Sequence, residues 1–205
     1  MTGLWIAVGV LGALIVTMAT ASFLALATGR MHLDLGLGRS FHELGPLTAT
    51  IRAPRELVFE IIAAPYLGRA SVGGIEVLAH SEHLAVARHH TRVHFYTAQT
   101  TEVIDLTPAT RVAFRQLSGP VPHALEEFVL EESDRGTELR YSGELGIDFY
   151  ILGKIAGRHW VRPQWERVVA AHLEDLKERA EARAARRAAR DASGPSAEVG
   201  GTGPP

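Results

Sequence analysis

Tyr141 and His172 are the side chains best suited to move a proton from an apolar setting, because each can act as acid or base when burial or a partner shifts its pKa. They stand as the candidate catalytic groups. Ten histidines raise metal binding as an alternative. The densest group is His89, His90 and His94. On a strand, His89 and His90 point to opposite faces, and His90 and His94 lie about 13 Å apart, too far to converge on one ion. His80 and His83 bracket a turn without an evident third ligand, so no metal site is expected. Cysteine is absent, which excludes thiolate metal centres, disulfides and cysteine nucleophiles. No strained serine elbow, phosphate-cradling glycine loop or paired-carboxylate signature is present, and no cofactor is implied. Glu126-Glu127 and Glu131-Glu132 are adjacent on strands, so each pair divides between two faces.

The elements that position these residues follow from hydrophobic periodicity. Leu47–Ile51 reads as a strand, followed by a helix that Pro54 opens, Glu56 favours electrostatically, and Leu57, Val58, Ile61 and Ile62 give an apolar face. Pro65 ends it, and 66–70 reads as a second short helix. Period-two patterning then predicts strands over 75–79, 84–90, 93–106, 110–117, 124–131 and 137–147, separated by signals such as Thr107-Pro108, Ser118-Gly119-Pro120 and Asp134-Arg135-Gly136. In the last strand Leu139, Tyr141, Leu145 and Ile147 share one face, opposite Glu138, Arg140, Ser142 and Glu144. From Pro163 a long helix carries Trp165, Val168, Val169, His172, Leu173 and Leu176 at helical spacing. The fold class is α+β: a curved antiparallel sheet with the long helix against its dry face. Parity sets Val93, Phe95, Thr97, Gln99 and Thr101 against Arg92 and Glu102. Phe95 and Gln99 are therefore expected on the inner face, with Phe114, Phe128, Tyr141, Trp165 and His172. They either line a ligand pocket or fill an ordinary core, and composition does not separate the two.

The 205 residues carry 46% hydrophobic and 21% charged residues, enough for a packed core, and 21 Lys+Arg balance 23 Asp+Glu. That balance argues against a nucleic-acid partner. The charges are unevenly placed. No ionisable side chain precedes Arg30, and Leu4–Ala27 is uncharged and mostly apolar, longer than the roughly 20 residues that a membrane span needs. A signal peptide would want a positive leader and a shorter run, so residues 3–28 read as an uncleaved transmembrane anchor. A cleaved signal peptide and a buried soluble helix are the rival readings. Arg30 and Arg39 then place the following domain in the cytoplasm. Gly9, Ala13, Thr17, Ala21 and Ala25 form a small-residue stripe through which two anchors could form a homodimer. Residues 29–43 read as a linker, 44–180 as the folded domain, 181–191 as a basic helix extension and 192–205 as a disordered tail. Arg183, Arg186, Arg187 and Arg190 fall on one helical face that suits anionic headgroups at a membrane surface, or simply a solvated helix end.

Three stretches carry a resemblance: Ile51-Arg52-Ala53-Pro54-Arg55-Glu56-Leu57-Val58-Phe59-Glu60, Gly136-Thr137-Glu138-Leu139-Arg140-Tyr141, and Trp165 on the long helix. Together with the element order they resemble the START/SRPBCC helix-grip superfamily, in its bacterial polyketide cyclase/dehydrase and lipid transport branch, over roughly residues 44 to 180. The resemblance implies a cavity between sheet and long helix that takes a hydrophobic small molecule such as a lipid or polyketide. It implies binding or transfer first, a cyclase or dehydratase without metal second, and an interaction module without ligand third. The family offers no shared catalytic motif to carry over.

Overall fold

The period-two region of the sequence builds one seven-stranded sheet. In the computed structural model, which describes residues 2–93 and 96–192, the strands are β1 (Ser40–Ile51), β2 (Ile75–His80), β3 (Leu84–Val93), β4 (Tyr96–Thr107), β5 (Arg111–Ser118), β6 (His123–Ser133) and β7 (Gly136–Ile147). Their spatial order is β1-β7-β6-β5-β4-β3-β2, every pair antiparallel. The helices are α1 (Thr2–Ala27), α2 (Arg55–Ala63), α3 (Tyr150–Ala156) and α4 (Arg162–Ala192).

Pro54 caps α2 from just outside, its carbonyl accepting from the Leu57 and Val58 amides, and α2 buries both of those side chains. The stretch 66–70, expected as a helix, is a series of turns that tucks Tyr66 into the interior. β1 begins at Ser40 rather than Leu47, so part of the expected linker is strand; an irregularity between Leu44 and Leu47 hides its continuity. Pro163 sits in the first turn of α4. The residues before it, Gly157–Val161, widen into a π turn, which accommodates a ring that has no N–H and would crowd an i−4 carbonyl.

α4 is the principal cover of the inner face. Val169, Leu173, Leu176 and Ala180 recur at steps of four, three and four, and pack on Leu44, Ile51, Leu139, Tyr141 and Leu145 from β1 and β7. Truncating Leu173 to Ala in such a setting costs about 2–5 kcal/mol. Under α2 a second packed group forms from Ala63, Tyr66, Ala85, Ala87, Ile104, Leu106 and Val112.

The chain between α1 and β1 is docked rather than loose. Thr28 O accepts from Gln99 N at 2.8 Å, and Gly29 is buried against Gln99. Gly29 has φ +69, and a Cβ there would collide with the Gln99 carbonyl, so both conformation and clearance require glycine. Further on, Asp148 accepts from the Leu35 and Gly36 amides, both at 2.9 Å, and from Arg39 Nε at 2.8 Å. Arg39 also pairs with Asp34. The hydrogen bond from Arg39 holds the Asp148 carboxyl below the usual aspartate range. This contribution is therefore present above that range and fades as pH falls through it. Asp148→Ala is expected to release this strap: exchange of the Leu35 and Gly36 amide hydrogens should rise by about tenfold or more, with the sheet amides unchanged, as read by hydrogen–deuterium exchange.

Candidate functional site

The inner face between the two packed groups is where polar chemistry collects. Across the sheet, side chains of β7, β6, β5, β4 and β3 follow one another there. Tyr141, Phe128, Phe114, Tyr66 and His89 form a continuous row of rings with centroids 5.4 Å apart for Tyr141–Phe128, 5.8 Å for Phe128–Phe114, 5.8 Å for Phe114–Tyr66 and 5.7 Å for Tyr66–His89. Phe128 packs against the α4 group and Phe114 against the α2 group, and both remain half-buried. They lie at the seam where the two groups meet, which Phe59 and Ile62 of α2 bridge.

Glu126 lies in this seam. On β6 it shares a face with Ala124, Phe128 and Leu130, while Glu127 turns outward to Arg111. One carboxylate oxygen, Oε2, accepts from Tyr141 Oη at 2.6 Å and from Trp165 Nε1 at 2.8 Å. The other oxygen has no hydrogen-bond partner among the described residues. Its neighbour across the ladder on β7 is Gly143, which contributes no side chain to cover it. Burial, and then the negative charge of Glu102, push the Glu126 carboxyl up to about 7, against the opposing pull of the two donors. Burial and the adjacent Glu126 charge also push the Tyr141 hydroxyl well above the usual tyrosine range.

A second polar group sits at the α2 side. His89 Nδ1 meets Glu102 Oε2 at 3.1 Å, and its Nε2 meets the Tyr66 hydroxyl at 3.1 Å. With Nδ1–H donating to the carboxylate, Nε2 accepts the tyrosine proton, so all three groups are satisfied. Burial, reinforced by Glu102 and Glu126, keeps Tyr66 protonated far above its ordinary range. The seam thus contains two inward carboxylates. One is fixed by a histidine; the other is poised to exchange a proton near neutrality.

Of the residues expected at the site, Phe114, Phe128, Tyr141 and Trp165 come together around Glu126. His172 lies on α4 at the rim: the residue is exposed, while protein packed around its ring lowers its pKa by desolvation. Gln99 requires correction. β3 pairs with β4 from Leu84↔Asp105 to Val93↔Tyr96, so the chain reverses between Val93 and Tyr96, later than the sequence suggested. That shift inverts the parity of β4: Ala98, Glu102, Ile104 and Leu106 are buried, and Gln99 belongs to the opposite set, its backbone engaged by Thr28. Phe95 lies outside the described residues, as does the expected tail from residue 193 onward. Glu126, Glu102, His89 and Tyr66 escaped sequence reading. The available signal was an acid on the apolar parity of its strand, clearest for Glu126 between Ala124 and Phe128.

Two side chains of the arginine stripe form ion pairs within the domain. Arg183 and Arg187 donate to Glu60 of α2 at 2.7 and 3.3 Å, near the end of α4 where Glu181 pairs with Arg52. A depression of about 710 Å³ exists on the outer face of the sheet, but Arg111, Glu127, Arg140 and Glu144 line it, so it offers little to an apolar ligand.

Solved structures reproduce this architecture. The Zhui aromatase/cyclase from Streptomyces sp. R1128 is 25% identical, with 77% of this chain and 99% of that one covered and a TM-score of 0.53. The di-domain ARO/CYC BexL from the BE-7585A biosynthetic pathway aligns at 20% identity and a TM-score of 0.58, over 86% of this chain and 60% of its own length. Norcoclaurine synthase from Thalictrum flavum aligns at 12% identity and a TM-score of 0.52, over 74% of this chain and 94% of its own. The chain has the fold of the helix-grip superfamily. No protein-family model matches the sequence, and no curated protein matches it.

In this helix-grip domain Glu126 is a raised acid: the folded state favours its neutral form. Its ionisation therefore removes stability as pH rises from the ordinary glutamate range to about 7. Glu126→Gln keeps an acceptor for Tyr141 and Trp165 without the charge. The variant is expected to gain about 1–3 kcal/mol over the native chain at pH 8 and little at pH 4, read from thermal melts in mild detergent across that range.

Proposed function

We propose that this chain binds a hydrophobic small molecule, of lipid or polyketide-like character, in the seam between the sheet and α4, with the domain held beside a membrane by α1. The observation that carries the reading is the Glu126 carboxylate. It lies deep enough for desolvation to dominate its pKa, is fixed by two donors on one oxygen, and neighbours the half-buried Phe114 across the ladder and Phe128 along β6. A few oriented polar groups in an apolar lining are the usual make-up of a small-molecule site. The ligand then lays apolar surface on Phe114 and Phe128 and gives a hydroxyl or other donor to Glu126.

The membrane part rests on α1, whose segment Trp5–Ala27 has a mean hydropathy of 2.2 and contains no buried residue. A core helix of a soluble protein would be covered, so a bilayer is the natural complement. Arg30 and Arg39 favour a cytoplasmic domain. Tethering raises the local concentration of the site over lipid-dissolved ligands. The test is native mass spectrometry of the full chain in mild detergent, with titration of fluorescent lipids. A co-purifying apolar ligand is expected, with affinity falling about tenfold in Phe128→Ala. A chain that carries no ligand and takes up no probe would overturn the reading.

A second reading is favoured by the raised pKa of Glu126 beside Tyr141: cyclase-type turnover, in which the seam folds a reactive chain and Glu126 accepts a proton. The aromatase/cyclase identity of several fold neighbours supports it. Here Glu126→Gln should lower kcat by about 100-fold or more while leaving substrate binding largely intact. An equal rate in the variant would exclude it.

A further inference from the structure

The end of the domain where α1 leaves carries an apolar surface that the fold does not use. Between β7 and α4, Phe149, Tyr150, Ile151, Leu152, Ile155 and Trp160 all point outward, with Ile151 69% and Leu152 70% exposed. Single exposed apolar residues are ordinary, but six within twelve positions form a patch of the kind that marks an interaction surface. The backbone is distorted to produce it. Phe149 and Tyr150 both adopt left-handed conformations, with φ of 80° and 52°, which L residues enter at a cost. These two residues turn the chain out of β7 so that α3 presents its apolar side chains away from the sheet.

Two independent features identify what covers the patch. First, its charge is one-sided. Lys154, Arg158 and His159 are exposed among the apolar groups, and no acidic residue occurs from Phe149 to Trp165. Aromatic rings mixed with cations match a bilayer interface with anionic headgroups, where each cation contributes favourably and Trp and Tyr settle at headgroup level. Second, the patch and the exit of α1 lie at the same end of the sheet, joined by the segment 28–38. The Phe149 and Tyr150 amides donate to Leu37 O and Gly38 O of the segment that follows α1, at 2.8 and 3.0 Å. The start of that same segment is fixed to β4 through Thr28 and Gly29. Few residues therefore separate the apolar helix from the apolar patch, and both ends of that short connection are docked on the domain.

We propose that Phe149–Trp160 lies in the interface of the bilayer that α1 crosses, on an anionic leaflet, so that the domain rests on the membrane at two points. The inference depends on the reading of α1 as a membrane span. It assigns the headgroup contact to this end of the domain, because the Arg183–Arg190 stripe follows Arg162 by some 20 residues of helix, roughly 30 Å along α4.

The chain has no cysteine, so Leu152→Cys and Asp134→Cys each accept a single environment-sensitive fluorophore. Asp134 serves as the distant control, since it sits in the turn before β7 while the patch follows the other end of that 12-residue strand. The labelled full chains are reconstituted in phosphatidylcholine–phosphatidylglycerol vesicles containing lipids spin-labelled on the acyl chain. The probe at position 152 is expected to shift to the blue and lose most of its emission, while the probe at 134 is unaffected. Adding Ile151→Glu and Ile155→Glu should restore emission at position 152 with the chain still in the vesicles. If the chain resists alkaline extraction but the probe at 152 is not quenched, or is self-quenched by a second copy, the docking proposal is overturned and the anchor stands. Equal quenching at 152 and 134 overturns it too. Extraction of the chain at alkaline pH overturns the anchor reading and the docking together.

Discussion

The inner face of a seven-stranded sheet is too broad for the helices available to it. Seven strands at about 4.8 Å spacing span roughly 29 Å, while one helix with its side chains covers about 10 Å. α4 packs along β1, α2 lies over β5, β6 and β7, and the turn after α2 brings Tyr66 onto the β3–β4–β5 group. The two packed groups meet between β5 and β6, where Phe114 and Phe128 remain half-buried. The seam thus lies where the two groups meet across the sheet. The residues that sequence alternation puts there, Phe114, Glu126 and Phe128, inherit a half-buried environment that neither a packed core nor an open surface would give them.

That environment explains why two acids tolerate the interior. An isolated buried carboxylate is strongly disfavoured, and it survives by gaining hydrogen bonds or by taking up a proton. Glu102 follows the first route, paired with His89, whose other nitrogen is matched by Tyr66. Glu126 follows both, with two donors on one oxygen and a pKa high enough to share a proton near neutrality. Its donors come from β7 and α4, so the same interaction ties the long helix to the sheet at the mouth of the seam. A ligand donor approaching the second oxygen would supply what the protein withholds. Binding and proton exchange at this position therefore draw on the same electrostatic deficit.

The sequence disclosed the architecture where one physical signal dominated. β7 alternates cleanly because Leu139, Tyr141 and Leu145 face α4 while Glu138, Arg140 and Glu144 face water, and α4 reads plainly because its apolar stripe persists past Leu176. The misreadings arose where two signals competed. The reversal between Val93 and Tyr96 carries none of the glycine, asparagine or proline that usually marks a tight turn. A displacement of the reversal was therefore invisible, and with it the true face of Glu102 and Gln99. The first half of β1 is masked by Gly45-Pro46 at its irregular register. Glu126 was seen to differ in face from Glu127, but a charge on the dry side needs a partner to make sense, and Tyr141 and Trp165 reach it only through long-range packing. α3 lacks both length and a side-chain cap, so nothing local announces it.

The domain has a direction, and this links its chemistry to its setting. β1 and α4 both begin at the end that holds the strap from α1, the buried Asp148 and the apolar turn into α3, and both run away from it. Glu166 marks the near end, accepting from Gly45 N and Arg162 Nε, each at 3.0 Å; Glu181 marks the far end, paired with Arg52. Trp165 is adjacent in sequence to Glu166, so the carboxylate it holds, Glu126, is anchored from the near end of the helix. The far end is closed by ion pairs, Arg183 and Arg187 with Glu60, which draw α4 onto α2 where apolar packing thins out. Polar clamps thus close one end of the fold, while apolar side chains are left open at the other.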